Sequence, residues 1–249
     1  MSEGSAVINL HQIYIVDGLQ PPTEIPEFVQ YNTKSMQDLH PKAIYRLWCG
    51  DEIREFLNSS FDNDVLRSFD KLKPYAYKCD LARLCVVYEH GGIYADLGMR
   101  FIRPFLPPQH AGFAAFRSLS FLTDSWTTAS NGLFWSRPRR KELEYSINAI
   151  IQNVRDEYYG TNPLCPTGPV LFGRSIARVA AETGRLELES DQWIGEVRRV
   201  SEKSLSTCHI APDGEPTALN IKAGRDLGAL GVRGSNIYGA LWASGDIYS

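Results

Sequence analysis

Apolar residues recur at steps of three and four through Tyr77, Leu81, Leu84, Cys85 and Tyr88. This spacing predicts an amphipathic helix over residues 75–88, with one face on a core. His90 falls in its last turn. Gly91 and Gly92 then end it, because glycine tolerates the positive φ that a helix C-terminus needs. Ile93, Tyr94 and Ala95 predict a short buried strand, with Asp96 at its carboxyl end. Ligands of open α/β sheets bind just outside such ends.

The same reading extends along the chain. Residues 6–16, rich in β-branched and aromatic side chains, predict a first core strand. Pro21, Pro22 and Pro26 predict a loop. A helix over 27–37, a strand over 43–48 and a helix over 52–57 follow, with Asp51 as N-cap. Residues 61–72 predict a short helix. Residues 99–105 alternate and end in a proline-rich stretch, as an edge strand does, and residues 112–117 predict another strand. Asn131-Gly132 reads locally as a turn. Leu143, Ile147, Ile150, Ile151 and Val154 share one face of a helix over 141–158. Thr167 and Pro169 suit the N-cap and first turn of a helix running to about residue 181. Residues 183–203 are mixed and charged and yield no assignment. Residues 235–248 are too aromatic for a disordered tail.

Composition narrows the function classes. The chain has 249 residues, 43% hydrophobic and 22% charged, with a net charge of −3. A mildly acidic chain without a basic run argues against nucleic acid as partner. No signal peptide and no apolar run of membrane-spanning length is seen. The five cysteines (Cys49, Cys79, Cys85, Cys165, Cys208) form no CxxC pair. They are expected to be reduced thiols in a cytoplasmic protein.

Candidate chemistry gathers around the central helix. Asp80 and Arg83 are three apart and share one shoulder of it. Such a pair either holds sugar hydroxyls and phosphate oxygens or is an ordinary surface ion pair. Asp96 alone is a common turn-former at a strand end.

Together these residues are more specific. Asp80-Leu81-Ala82-Arg83, followed by Gly91-Gly92-Ile93-Tyr94-Ala95-Asp96, resembles the glycosyltransferase sugar-binding region that contains the DXD motif, as in glycosyltransferase family 32. Cys79 stands where that family usually has Ser, and Gly98 stands where the second Asp of DXD belongs. His11, Gln12 and Tyr14 resemble the family's opening segment, with Tyr14 in place of Trp.

The resemblance implies a single α/β domain over residues 1–249. Its fold would be GT-A, a Rossmann-like, mostly parallel sheet flanked by helices. It further implies a retaining glycosyltransferase that moves a sugar from a UDP- or GDP-sugar to a hydroxyl of a glycan or polysaccharide acceptor, as in surface polysaccharide synthesis. Asp96, Asp80 and Arg83 would be catalytic. Asp80, Arg83, Tyr94, Asp96, Tyr14, His11, Gln12 and Trp242 would bind the donor; for Tyr14 a core role is the alternative. Asn131, Gly132, Thr167 and Gly168 would line the acceptor cleft. Mn²⁺ or Mg²⁺ would sit on Asp96, with the C-terminal segment (Trp242, Ser244, Asp246) supplying a second ligand from Asp246. Gly98 leaves three readings open: a metal held by Asp96 and Asp246, a metal-independent enzyme, or a nucleotide-sugar-binding protein without turnover.

Overall fold

The structure is a computed structural model and describes residues 8–15, 18–118, 125–182, 191–201, 206–221 and 237–249. Parts of the expected first strand and about half of residues 183–203 lie outside these, as do Ser235 and Asn236.

In chain order the elements are β1 (Asn9–Ile13), α1 (Glu27–Leu39), β2 (Ile44–Trp48), α2 (Gly50–Ser60), α3 (Asn63–Lys71), α4 (Tyr75–His90), β3 (Gly92–Ala95), β4 (Met99–Phe101), β5 (Phe113–Arg117), β6 (Ala129–Ser136), α5 (Lys141–Arg155), α6 (Pro169–Glu182), β7 (Gln192–Arg199), β8 (Thr207–Ile210), β9 (Pro216–Asn220) and α7 (Tyr238–Ala243). Among the described residues, nine strands join one sheet in the order β2-β1-β3-β6-β5-β7-β8-β9-β4. β2, β1 and β3 are parallel neighbours, and β5 runs parallel to β7. The remaining pairs are antiparallel, so the sheet is mixed, and its parallel end carries Asp96. β4 lies at the far edge, where its sequence placed it.

Strand alternation divides the core in two. Ile13 and Tyr94 face a large cluster with α2 to α6, including Ile53, Phe69, Leu84, Ile147 and Phe172. Leu10, Ile93 and Ala95 face the opposite side, with Met36 of α1.

α4 departs from the amphipathic expectation. Every residue from Tyr77 to Val87 is buried, including Lys78, Asp80 and Arg83. The reason is its position: α4 packs against α3, α5 and α7 as well as β1, β3 and β6. Its polar residues therefore find partners inside. Lys78, for example, donates to the Asp70 carbonyl at 3.0 Å, at the C-terminal end of α3. The α4–β3 junction follows the sequence. Gly91 (φ 62°) and Gly92 (φ 103°) turn the chain, and a Cβ on Gly92 would lie 2.3 Å from the Asn9 carbonyl of β1. That close approach lets β3 pair with β1.

Three local expectations are corrected. α2 begins at Gly50 and is capped by Cys49, whose N–H donates to Glu52 Oε2 at 2.9 Å; Asp51 lies inside the first turn. Asn131 and Gly132 are strand residues of β6. α5 ends at Arg155. Among the described residues no helix is long and apolar enough to cross a membrane.

Candidate active site

The helix α4 and the strand after it bring Asp80, Arg83, Tyr94 and Asp96 into one buried group. The Arg83 guanidinium lies 3.2 Å from Asp80 Oδ1 and 3.2 Å from Asp96 Oδ1. It also donates to the Cys79 carbonyl at 3.0 Å and the Asn131 carbonyl at 2.8 Å. Its plane sits 4.7 Å from the centre of the Tyr94 ring. Burial works against this charge, yet Asp96, Tyr94 and Asp80 hold its pKa above the ordinary arginine value. The pair is therefore not the exposed i,i+3 contact that spacing alone also allowed.

Asp80 is held from three sides. Asn131 Nδ2 donates to Oδ1 at 2.8 Å and Thr167 Oγ1 donates to Oδ2 at 2.7 Å, beside the Arg83 contact. Burial raises its pKa, against the pull of Arg83 and these hydrogen bonds. A carboxylate has about four acceptor positions, so one remains for a ligand.

Asp96 is the open member. Its side chain is 23% exposed, against 6% for Arg83. Oδ1 accepts from the Tyr94 hydroxyl at 2.9 Å and from Arg83. Oδ2 lies against Gly132, where a Cβ would come within 2.7 Å of it. Any larger residue at 132 would push the carboxylate aside. The loop is fixed behind: Asp96 N–H donates to the Gly132 carbonyl, Met99 N–H closes a turn onto the Asp96 carbonyl, and Gly98 accepts from Ile221 N–H. Asn32 of α1 donates to the Leu97 carbonyl at 3.0 Å.

Three of the four residues expected in an acceptor cleft, Asn131, Gly132 and Thr167, thus meet Asp80 or Asp96 directly. Thr167 is not the N-cap its sequence suggested. The helix starts two residues later, and its hydroxyl turns to Asp80. Gly168 follows, with room for a Cβ 3.5 Å from Asp80 Oδ2.

The first strand contributes differently. His11 is 4% exposed and bonded to the Gly91 carbonyl at 3.0 Å, with Trp48 Nε1 donating to Nδ1 at 3.4 Å. Gln12 is fully buried and accepts from Thr33 and Tyr45. Tyr14 is 5% exposed and packs with Val29, Leu47 and Leu97, the core alternative for this ring. Through Leu97 it supports the Asp96 loop from behind.

The C-terminal residues are also placed. Trp242 Nε1 donates to the Tyr159 carbonyl at 2.8 Å, and Ser244 bonds within its own turn. Asp246 is half-exposed and paired with Lys73. Among the described residues no group of three His, Cys, Asp or Glu side chains gathers to hold a metal. The sequence missed Tyr238 of α7, whose ring packs 5.9 Å from that of Tyr77, one turn of α4 before Asp80. Its phenol is pushed up by burial and then by the charges of Asp80 and Asp96.

Two buried histidines make the fold acid-sensitive. His11 and His209, the latter bonded to Ser130 Oγ at 3.1 Å, are both lowered to about 4, chiefly by burial. A ring whose folded pKa lies below its unfolded value stabilises the fold fully above pH 6.5, and this is lost as pH falls towards 4. The loss between pH 7 and pH 5 is on the order of 2 kcal/mol per ring. Urea midpoints at the two pH values should show a steep drop. His11→Gln should flatten it, and an unchanged slope in that variant would remove His11 from the account.

Comparison with known proteins is consistent with this geometry. Residues 26–114 match the family described as glycosyltransferase sugar-binding region containing DXD motif. The chain is 27% identical over 213 residues to an uncharacterized glycosyltransferase of Acanthamoeba polyphaga mimivirus, covering 82% of this chain and 74% of that protein. It is 34% identical over 87 residues to inositol phosphoceramide mannosyltransferase 3 of Schizosaccharomyces pombe, covering 35% of this chain and only 24% of the yeast protein. Among solved structures, the PaToxG glycosyltransferase superposes with a TM-score of 0.52 at 17% identity, over 74% of this chain and 76% of that one. At that identity the likeness is one of fold, and it bears out the GT-A expectation. Residues 26–114 thus match a glycosyltransferase sugar-binding region, and over most of its length the chain is similar to a glycosyltransferase in sequence and in fold.

Proposed function

We propose that the protein transfers a sugar from a UDP- or GDP-sugar to a hydroxyl of a glycan acceptor with retention of the α configuration. The observation that carries this reading is Asp96: an outward-facing carboxylate at the carboxyl end of β3, braced by Arg83 and Tyr94. In the proposed mechanism the buried Asp80–Arg83 pair fixes Asp96, and Asp80 offers its remaining acceptor position to a donor-sugar hydroxyl. Arg83 is a positioning residue, since Asp80, Asp96 and two carbonyls already engage its N–H groups. Its positive charge also offsets the developing negative charge of the leaving diphosphate. Among the described residues no further carboxylate gathers with Asp80 and Asp96 to offer a separate nucleophile for double displacement. Front-face attack, with the leaving phosphate taking the acceptor proton, is the route we favour.

The family uses a divalent cation in most cases, and Asp96 Oδ2 fits one ligand position for it. Such an ion, when bound, neutralises the diphosphate as a Lewis acid. Gly98 brings no side-chain ligand. A hard cation prefers several oxygens, so Mn²⁺ should bind mainly together with a nucleoside diphosphate. Calorimetric titration of Mn²⁺ into the protein alone should give little heat, and a clear isotherm once UDP or GDP is present. Tight binding to the protein alone would mean that a preformed cage exists.

A screen of UDP- and GDP-sugars for hydrolysis, with and without Mn²⁺, tests the function. The mannosyltransferase relatives put mannose donors first in that screen. Donor binding without hydrolysis or transfer would favour a nucleotide-sugar-binding protein, the reading that the loss of the second motif Asp at Gly98 supports.

A further inference from the structure

Trp126 is 82% exposed, the most exposed large hydrophobic residue among those described. Single apolar residues at the surface are normal, but two features set this one apart. The first is that its turn is hydrogen-bonded. Ser125 Oγ and Thr127 Oγ1 lie 2.9 Å apart, Thr128 Oγ1 donates to the Ser125 carbonyl at 3.0 Å, and Ser118 N–H donates to the Thr128 carbonyl at 2.8 Å. The Thr127 carbonyl is pressed onto α6 so closely that a Cβ on Gly173 would lie 1.6 Å from it. The indole is thus displayed from a backbone that is bonded and packed on α6.

The second feature is place. β6 is antiparallel to β3, with Leu133 opposite Ala95, so residues before Ala129 project beyond the carboxyl end of β3, the end that carries Asp96. α6 joins the two places physically. Its start adjoins Asp80 through Thr167 and Gly168, and Gly173 meets Thr127. Five residues of α-helix span about 7.5 Å. The turn that carries this exposed indole therefore lies within a few sugar-ring widths of the carboxylates.

An indole face suits the apolar C–H face of a pyranose, while its N–H and the neighbouring hydroxyls suit the ring's polar edge. Aromatic side chains held by rigid backbone give such contact at low entropic cost. We propose that Trp126 forms an acceptor subsite that stacks on a sugar ring at least one unit removed from the hydroxyl that reacts. The inference rests on the glycosyltransferase reading and extends it to acceptor length.

The test separates the two. Saturation-transfer NMR with mannose, mannotetraose, maltotetraose and cellotetraose, in the absence of donor, reads binding without turnover. One tetrasaccharide should bind the wild type and lose on the order of tenfold affinity in Trp126→Ala, with Trp126→Tyr restoring most of it. In transfer assays the KM penalty of Trp126→Ala should grow with acceptor length at similar kcat. Equal tetrasaccharide binding by wild type and Trp126→Ala, or no binding by either, would overturn the proposal. Loss of sedimentation with phosphatidylinositol-containing vesicles in Trp126→Ala, with tetrasaccharide binding intact, would overturn it in favour of a lipid-facing role. Failure of every donor to be hydrolysed or transferred would instead strike the glycosyltransferase reading, leaving the binding measurement to stand or fall alone.

Discussion

An Arg83→Ala variant is expected to lose about 3–5 kcal/mol of stability. The exposed-pair reading of Asp80 and Arg83 would leave the fold intact after this change. Burial reverses that expectation: Arg83 is 5% exposed and sits between two carboxylates, one of them almost as deeply buried. Removing it strands both charges and frees the Asn131 carbonyl. Total stabilities of such chains are about 5–15 kcal/mol, so the melting temperature should fall by roughly 10 °C or more. Arg83→Lys should recover only part, because an ammonium cannot make the forked contacts of a guanidinium. A double Asp80→Leu, Arg83→Met variant should be more stable than Arg83→Ala, since well-packed apolar groups replace a buried pair at little cost. It should still fail to bind donor. A melting temperature for Arg83→Ala within 2 °C of wild type, on the scale of roughly 2–4 °C per kcal/mol, would show that the pair is not the buried brace described.

Asp96→Asn should cut transfer by about 10²–10³-fold, the range for loss of one group that stabilises transition-state charge. The amide keeps the shape and still accepts from Tyr94, and Arg83 keeps Asp80 as its counter-charge, so the fold should survive. The effect should appear in kcat more than in the melting temperature, opposite to Arg83→Ala. Near-normal transfer by Asp96→Asn would mean that another group meets the diphosphate. Gly98→Asp provides a complementary comparison: with only a ligand missing, it should tighten Mn²⁺ binding in the presence of nucleoside diphosphate.

The part of the site that was legible in the sequence is the part built from neighbours in the chain. The α4 period, the Gly91-Gly92 stop and Asp96 at the strand end were all local signals, and each sits as expected. The burial of α4 was not legible: its apolar stripe looked one-sided because Lys78, Asp80 and Arg83 count as polar, and only tertiary partners bring such residues inside. Thr167 reaches Asp80 across 87 residues and Asn131 reaches it across 51. Local propensity made these residues a cap and a turn; the resemblance to a family placed them in a cleft, yet neither reading named Asp80 as their partner. Tyr238 was hidden for a similar reason, since a ring in an aromatic-rich end segment carries no sign of which neighbour it will face. The antiparallel half of the sheet was equally out of reach, because strand direction depends on connections that periodicity does not report.

The most direct measurement of the central claim is a crystal structure of the protein grown with GDP or UDP and Mn²⁺. The expected result is the Mn²⁺ carried by the diphosphate in contact with Asp96 Oδ2, with Thr167 and Asn131 still bonded to Asp80. The chain offers another cleft of about 740 Å³, lined by Asp62, Tyr88, Arg139 and Gln152 and holding none of the motif residues. A nucleotide seated there, with Asp96 facing only solvent, would contradict it.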